Sequence, residues 1–270
     1  MSLSVQGKTA IVTGAGRGLG LAIARHLAAA GANVMFADSD EAALEAELGD
    51  ESRSDGPIRA FAGDLSQKLT HANLVSATID AFDRIDVLVN AHRVVQSCDP
   101  LAVDDELLGA MMRENMTAGL KLSQMVAKRM VAQAESESDA QALQNGAIIN
   151  LTSLVTDLAQ PQMLAYSIAS AAQAQATRSL AMALAHKRIR VNGVAFGSIM
   201  SNHLQLNLRE DPKLRDKLVA ATPLGRIAGV DELGATVQFL ASEGAAFITG
   251  QILRVDGGRS LGDPMAPGVF

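Results

Sequence analysis

The sequence predicts an α/β protein: a doubly wound parallel sheet of about seven strands, covered by helices on both faces. Three observations carry that expectation. Short apolar runs alternate with helical patterns along all 270 residues. Those runs are continuously apolar, as strands buried on both faces are, and lack the polar–apolar alternation of a half-exposed sheet. A glycine-rich turn joins the first apolar run to the first helical pattern.

Each element follows from its own pattern. Thr9 to Thr13 reads as the first strand, and Leu19, Ile23 and Leu27, four apart, mark one face of the first helix. Asn33 to Ala37 is the second strand and Glu41 to Leu48 the second helix. Ile58 to Ala62 follows, then a helix ending near Phe82, then the strand Asp86 to Asn90. A long helix from about Asp104 to Met130 precedes the strand Ala147 to Leu151. A helix from about Tyr166 to His186 leads to the strand Arg190 to Ala195. The last helix begins near Asp231, and Ile252 to Val255 is the last strand. Nothing between these elements reads as a linker, so residues 1–270 are expected to form a single domain. The polar stretch Ala134 to Asn145 reads as a helix extension or surface loop. Residues 200–226, between the sixth and seventh strands, form a long insertion of the kind that covers a substrate crevice, and a lid is expected there.

Composition excludes several classes of function. With 48% hydrophobic and 19% charged residues, the chain buries a full core rather than staying disordered. Seven Phe, one Tyr and no Trp mean that the core packs with Ala, Leu, Val, Ile and Met, and that phenolic chemistry has Tyr166 as its one candidate. A net charge of −6 argues against nucleic-acid and anionic-membrane partners. The single Cys98 excludes an internal disulfide framework and fits a reducing cytosol. Five scattered His without ligand spacing predict no metal site. Met1 to Gly7 has neither a cationic start nor an apolar signal core, and no uncharged apolar run is long enough to span a bilayer. A cytoplasmic protein is expected.

Thr13-Gly14-Ala15-Gly16-Arg17-Gly18-Leu19-Gly20 sits between the first strand and first helix. A turn lacking Cβ atoms lets a pyrophosphate approach the backbone and the helix N-terminus. The spacing is Gly-x3-Gly-x-Gly, and its place after a strand predicts a dinucleotide site with Gly14, Arg17, Gly18, Leu19 and Gly20 as its floor, in a single-domain Rossmann fold. Asp38 ends the second strand, where a carboxylate accepts hydrogen bonds from the adenosine ribose hydroxyls and repels a 2′-phosphate. Arg17 pulls the other way, toward a 2′-phosphate. Asp38 weighs more by position, so NAD is expected, with NADP the alternative.

In these motifs the chain resembles the short-chain dehydrogenase/reductase family over nearly its whole length. The resemblance rests on the Thr13–Gly20 turn, Asp64-Leu65, Asn115 and Ile149-Asn150-Leu151-Thr152-Ser153. It rests also on Tyr166 thirteen residues after Ser153, Ile189-Arg190-Val191-Asn192, Thr222-Pro223-Leu224-Gly225-Arg226, Phe239-Leu240-Ala241-Ser242, Thr249-Gly250-Gln251 and Val255-Asp256-Gly257-Gly258. It implies Tyr166 as general acid/base, Ser153 holding the substrate carbonyl and Asn115 supporting the site. It further implies that Asp64, Leu65, Asn90, Tyr166 and Gly197 adjoin the cofactor, and that the chain forms a homo-oligomer, a dimer or a tetramer. Such chemistry needs these groups, because hydride addition to a carbonyl develops alkoxide charge that a proton donor and a hydroxyl stabilise.

The chain also departs from that family's pattern. Ser170 stands where the resemblance implies an activating Lys, four residues after Tyr166, and Lys187 lies near the far end of the helix. A serine offers neither the charge nor the reach to activate a phenol. Asn90-Ala91-His92-Arg93 replaces Asn-Asn-Ala-Gly, so Arg93 is expected to crowd the cofactor side, and Phe196-Gly197 replaces Pro-Gly. Two readings follow. In one, the chain is an oxidoreductase in which Arg93 or His92 supplies the missing positive charge. In the other, it is a catalytically impaired relative that binds a dinucleotide or a partner subunit as a scaffold or regulator. Leu154, Val155, Leu158, Met163, Met200 and Leu204 make the expected substrate surface apolar, suited to a small lipophilic alcohol or ketone. Met111, Met112, Met116, Met125 and Met130 read as a packing surface suited to a subunit contact, and Cys98 as an apolar filler.

Overall fold

In the computed structural model, which describes residues 2–53, 55–137 and 144–261, seven strands form one sheet. They are β1 (Thr9–Thr13), β2 (Asn33–Asp38), β3 (Ile58–Ala62), β4 (Val87–Asn90), β5 (Gly146–Ser153), β6 (Ile189–Phe196) and β7 (Ile252–Val255). Every pairing is parallel, in the order β3-β2-β1-β4-β5-β6-β7. The order reverses between β1 and β4, which opens a crevice at the carboxyl ends of those strands.

The helices are α1 (Gly18–Ala29), α2 (Glu41–Leu48), α3 (Lys68–Phe82), α4 (Asp105–Met112), α5 (Ala118–Glu137), α6 (Leu164–Leu184), α7 (Asn202–Glu210), α8 (Pro212–Ala220) and α9 (Val230–Ala241). They cover both faces. Ala10 and Val12 of β1 pack with Ile23 and Leu27 of α1 and Leu233 and Val237 of α9. Ile11, pointing the other way, packs with Leu74 of α3, Leu122 and Val126 of α5 and Ala181 of α6. The inner strands β1, β4 and β6 are buried throughout, as their uninterrupted apolar runs dictate, while the edge strands β3 and β7 are partly exposed.

Two details differ from the sequence expectation. The long helix expected from Asp104 to Met130 is broken by a π-turn, Arg113–Thr117, between α4 and α5. Helical periodicity does not reveal such a turn, because one extra residue barely shifts the apolar stripe. Met111 and Met130 are fully buried in the chain's own interior, so the expected methionine surface reduces to the half-buried Met112, Met116 and Met125. Residues 200–226 carry α7 and α8, which meet at Asp211; its carboxylate accepts the Lys213 amide at 3.0 Å and caps α8. The polar stretch from Ala134 starts as the last turn of α5, and residues 138–143 lie outside the described residues.

Candidate active site

The turn after β1 packs main chain against main chain at Gly14 and Gly20 and leaves Gly18, at φ +60°, open to the cleft. Gly14 has φ +65°, and a Cβ there would lie 2.8 Å from His92 Cα; a Cβ on Gly20 would lie 2.0 Å from the Gly14 carbonyl oxygen. Neither position admits a side chain. Asp38, at the end of β2, holds the same turn in place. Its Oδ2 accepts the Gly16 amide at 2.8 Å and its Oδ1 the Asp40 amide at 3.0 Å. Arg17, weighed above as a phosphate partner, is instead ion-paired with Asp40. Gly14, Arg17, Gly18, Leu19, Gly20 and Asp38 line one cleft of about 470 Å³ with Ser39, Asp40, Ala91, His92, Arg93 and Ser201. That volume lies in the range of small-molecule and cofactor sites.

The segment after β4 forms the opposite wall, and it is pinned residue by residue. Thr13 Oγ1 accepts the amides of Ala91 and His92, both at 3.1 Å. His92 Nε2 pairs with Glu114 Oε2 at 3.0 Å. Asn115 Oδ1 accepts the Val94 amide at 2.8 Å, while its Nδ2 donates to the Met111 carbonyl at 3.1 Å. Arg93 lies over the Phe196 ring, its guanidinium carbon 4.6 Å from the ring centroid. Arg93 is not in the left-handed region, since Asp83 and Arg188 are the non-glycine residues of positive φ among the described residues. The replacement of glycine therefore strains nothing locally.

Behind this wall lies a buried polar chain. Asn90 Nδ2 donates to Asn150 Oδ1 at 2.7 Å and to Ser123 Oγ at 2.9 Å, and Asn150 Nδ2 donates to Thr177 Oγ1 at 2.8 Å. With its amide oriented to satisfy both ends, Gln173 donates to the main-chain carbonyls of Asn115 (3.0 Å) and Leu151 (3.1 Å). The π-turn presents that Asn115 carbonyl to α6. A cavity of about 10 Å³, the size of one water, sits among Thr13, Leu65, Asn90, Glu114, Asn115 and Gln173, and Asn90 Oδ1 has no partner. The Asn90 side chain thus belongs to this interior network. Leu65 is buried, and its carbonyl accepts from His71 Nε2 at 2.6 Å. Asp64 is turned to the Ser66 amide (2.8 Å) and hydroxyl (2.9 Å), which hold its carboxyl below the usual range.

Tyr166, on the first turns of α6, is buried against Met111, Val155, Ala165 and Ala169, with Cys98 and Met163 beside them. Ser153 ends β5 and accepts the Val155 amide at 3.4 Å. Ser170, one turn beyond Tyr166, is buried, and its carbonyl accepts from Thr152 Oγ1 at 3.5 Å. Gly197 follows β6 and faces Asp256, whose carboxylate accepts the Gly258 (2.9 Å) and Ser260 (2.8 Å) amides. No cation bonds Tyr166 or Ser170 among the described residues: His92 is on Glu114 and Arg93 on Phe196. Sequence reasoning did not single out Thr13, Glu114, Gln173 or Ser201. Thr13 stood inside the glycine motif and was readable there; the others are brought in by the π-turn and by α7.

The comparisons with known proteins follow this geometry. Residues 14–260 match the family model described as enoyl-(acyl carrier protein) reductase. The chain belongs to the short-chain dehydrogenase/reductase family. Its type is that of an NAD(P)-dependent oxidoreductase. Among short-chain dehydrogenase/reductase relatives, it is 34% identical to the galactitol 2-dehydrogenase (L-tagatose-forming) of Cereibacter sphaeroides, over 95% of this chain and 96% of that protein. It superimposes on a gluconate 5-dehydrogenase from Burkholderia cenocepacia J2315 in complex with NADP and tartrate (TM-score 0.85, 29% identity, 97% and 98% of the two chains). It also superimposes on a 7α-hydroxysteroid dehydrogenase complexed with NADH and 7-oxo glycochenodeoxycholic acid (TM-score 0.83, 29% identity, 95% of each chain). Among the described residues no helix is long and apolar enough to cross a membrane, and no group of three or more His, Cys, Asp or Glu is placed to hold a metal.

Proposed function

We propose that this chain binds NAD in the cleft at β1 and moves hydride between it and a small apolar alcohol or ketone. The observation that carries the cofactor reading is the glycine turn held by Asp38. Gly18, at φ +60° with open space where a Cβ would stand, leaves main chain on the cleft that a pyrophosphate would reach, and the rim carries the Asp38 carboxylate where NADP would place a 2′-phosphate. Arg17 and Asp40 neutralise each other, which leaves Asp38 as the net charge of the rim. Gly14, Arg17, Gly18, Leu19, Gly20 and Asp38 would hold the adenosine half, and Gly197 and Tyr166 the nicotinamide half, with Asn90, Asp64 and Leu65 shaping the walls.

When bound, the cofactor supplies or accepts the hydride. Tyr166 donates the proton to the developing alkoxide, or takes it in the reverse direction, and Ser153 Oγ orients the carbonyl oxygen. Asn115 acts on the π-turn, fixing Val94 and receiving Gln173. Ser170 stands in the place of the activating lysine and leaves the phenol without a cationic neighbour. Leu154, Val155 and Met163 give the substrate side its apolar wall, and residues 200–226 close over it as a lid. A cytoplasmic homo-oligomer, dimer or tetramer, fits this reading.

A second reading, a dinucleotide-binding subunit without turnover, is favoured by one observation: both candidate cations, His92 and Arg93, are engaged elsewhere. Fluorescence titration with NADH and a screen of secondary alcohols with NAD separate the two. Binding with turnover that Tyr166→Phe lowers about 10²–10⁴-fold supports the enzyme. Binding with no turnover of any alcohol or ketone supports the regulatory subunit, and absence of NADH binding overturns both.

A further inference from the structure

Oxidised and reduced nicotinamide dinucleotides are the same molecule at adenosine, pyrophosphate and both riboses. They differ at the ring, which is cationic when oxidised and neutral when reduced. A protein discriminates between them only through groups near that ring. The cleft described above runs from Asp38 at the end of β2, past the glycine turn after β1, to Ala91, His92 and Arg93 after β4. A dinucleotide with its adenosine at Asp38 and its pyrophosphate at the turn must lay its second half over the β4–β6 end. Arg93 lies there, spread over Phe196 across the end of the intervening β5.

The charged groups along this path, Arg93 excepted, are held by ion pairs or main-chain amides. Asp38 is bonded by the Gly16 and Asp40 amides, and Arg17 is paired with Asp40. His92 is paired with Glu114, and Asp256, beyond Gly197, is held by the Gly258 and Ser260 amides. Among the described residues lining the cleft, Arg93 is the cation without a carboxylate or hydrogen-bond partner: its guanidinium lies over the ring of the buried Phe196, and the residue as a whole is exposed. A guanidinium stays charged at any physiological pH, so this positive charge is permanent.

We propose that Arg93 sets the redox-state preference of the site, disfavouring the cationic oxidised nicotinamide relative to the neutral reduced one. The inference rests on the dinucleotide reading above. Like charges at close range repel, and no carboxylate among the described residues is paired with Arg93. Everything the two cofactor forms share cancels in the ratio of their affinities, so the ratio reads Arg93 and its surroundings. The stack on Phe196 holds the guanidinium at the ends of the strands.

The test is calorimetric titration of the full-length protein with NAD⁺, NADH and ADP-ribose, which keeps both riboses and the pyrophosphate and lacks the ring. Wild type is compared with Arg93→Gln, which removes the charge, and Arg93→Lys, which keeps it. The expected result is that Kd(NAD⁺)/Kd(NADH) falls about three- to tenfold in Arg93→Gln, the factor of one unshielded charge in water-like surroundings. It stays within about twofold of wild type in Arg93→Lys, and ADP-ribose affinity is unchanged in both. An unchanged ratio in Arg93→Gln overturns the proposal. So does an equal loss for all three ligands, which would make Arg93 a phosphate contact. Wild type that binds ADP-ribose but neither dinucleotide would show the stack closing the second half, and overturns it as well. Wild type that binds none of the three removes the dinucleotide reading itself.

Discussion

Arg93 and Phe196 stand at the ends of β4 and β6, two strands that do not touch, and meet across β5 with 4.6 Å between guanidinium carbon and ring centroid. Read along the chain they are two separate departures from a family pattern, a lost glycine and a lost proline. In the fold they are one contact. An exposed cation on an aromatic face is worth about 0.5–1 kcal/mol. A double-mutant cycle with Arg93→Met and Phe196→Leu, measured by urea unfolding, is expected to give a coupling energy of that size. Additive single effects would mean that the two substitutions are independent.

Ser170 is buried one turn from Tyr166, with no cation bonded to either. Ser170→Lys places an ammonium where the family pattern has one. Carbonyl reduction at neutral pH is expected to rise about tenfold or more, in line with the worth of a tuned acid–base group. Ser170→Met fills the same space without charge and is expected to give no gain. Equal rates in the two variants would remove the charge argument.

Arg190 is a buried cation without a carboxylate partner among the described residues, and burial pushes its pKa down to about 10. Its guanidinium donates to the carbonyls of Leu240 (2.6 Å), Ser242 (3.2 Å) and Ile248 (3.4 Å), at and just beyond the end of α9. Arg190→Met leaves the Leu240 carbonyl without its donor, while those of Ser242 and Ile248 keep the Ala245 amide and the Asn192 side chain. A loss of about 1–3 kcal/mol in unfolding free energy is expected, read from the urea midpoint. Dinucleotide affinity is expected to hold, since Arg190 lies at the opposite end of β6 from the cleft.

His71 carries a pH dependence. It is buried, its Nε2 bonds the Leu65 carbonyl, and its Nδ1 has no partner. Burial lowers its pKa from 6.5, against smaller opposing effects of the Leu65 carbonyl and Asp64. A histidine more acidic in the folded than in the unfolded chain binds its proton more readily when unfolded. Its contribution to stability is therefore complete above pH 6.5 and is lost as pH falls through the folded value. Chemical denaturation between pH 7.5 and 4.5 is expected to show this loss in wild type, and His71→Gln to show less of it. Parallel curves would assign the acid loss to other groups.

Much of this was legible in the chain. Continuous apolar runs separated by helical stripes admit few arrangements, because a strand buried on both faces needs a helix above and below. The glycine turn announces itself since no other residue tolerates the Gly14 and Gly20 approaches. Asn115 was placed by motif, but the π-turn that aims its carbonyl at Gln173 was not, since its signature is a local change in hydrogen bonding.

The sequence by itself determined the sheet, the helices on both faces, the cleft floor from Gly14 to Gly20, and the family. Those depend on residue type and spacing within one or two adjacent elements. The tertiary structure decided where the charges go. Arg17 pairs with Asp40, His92 with Glu114, and Arg93 lies on Phe196, more than a hundred positions away in the chain. Periodicity cannot encode such partners, since a long charged side chain takes the nearest counter-charge or ring that the closed fold brings within reach.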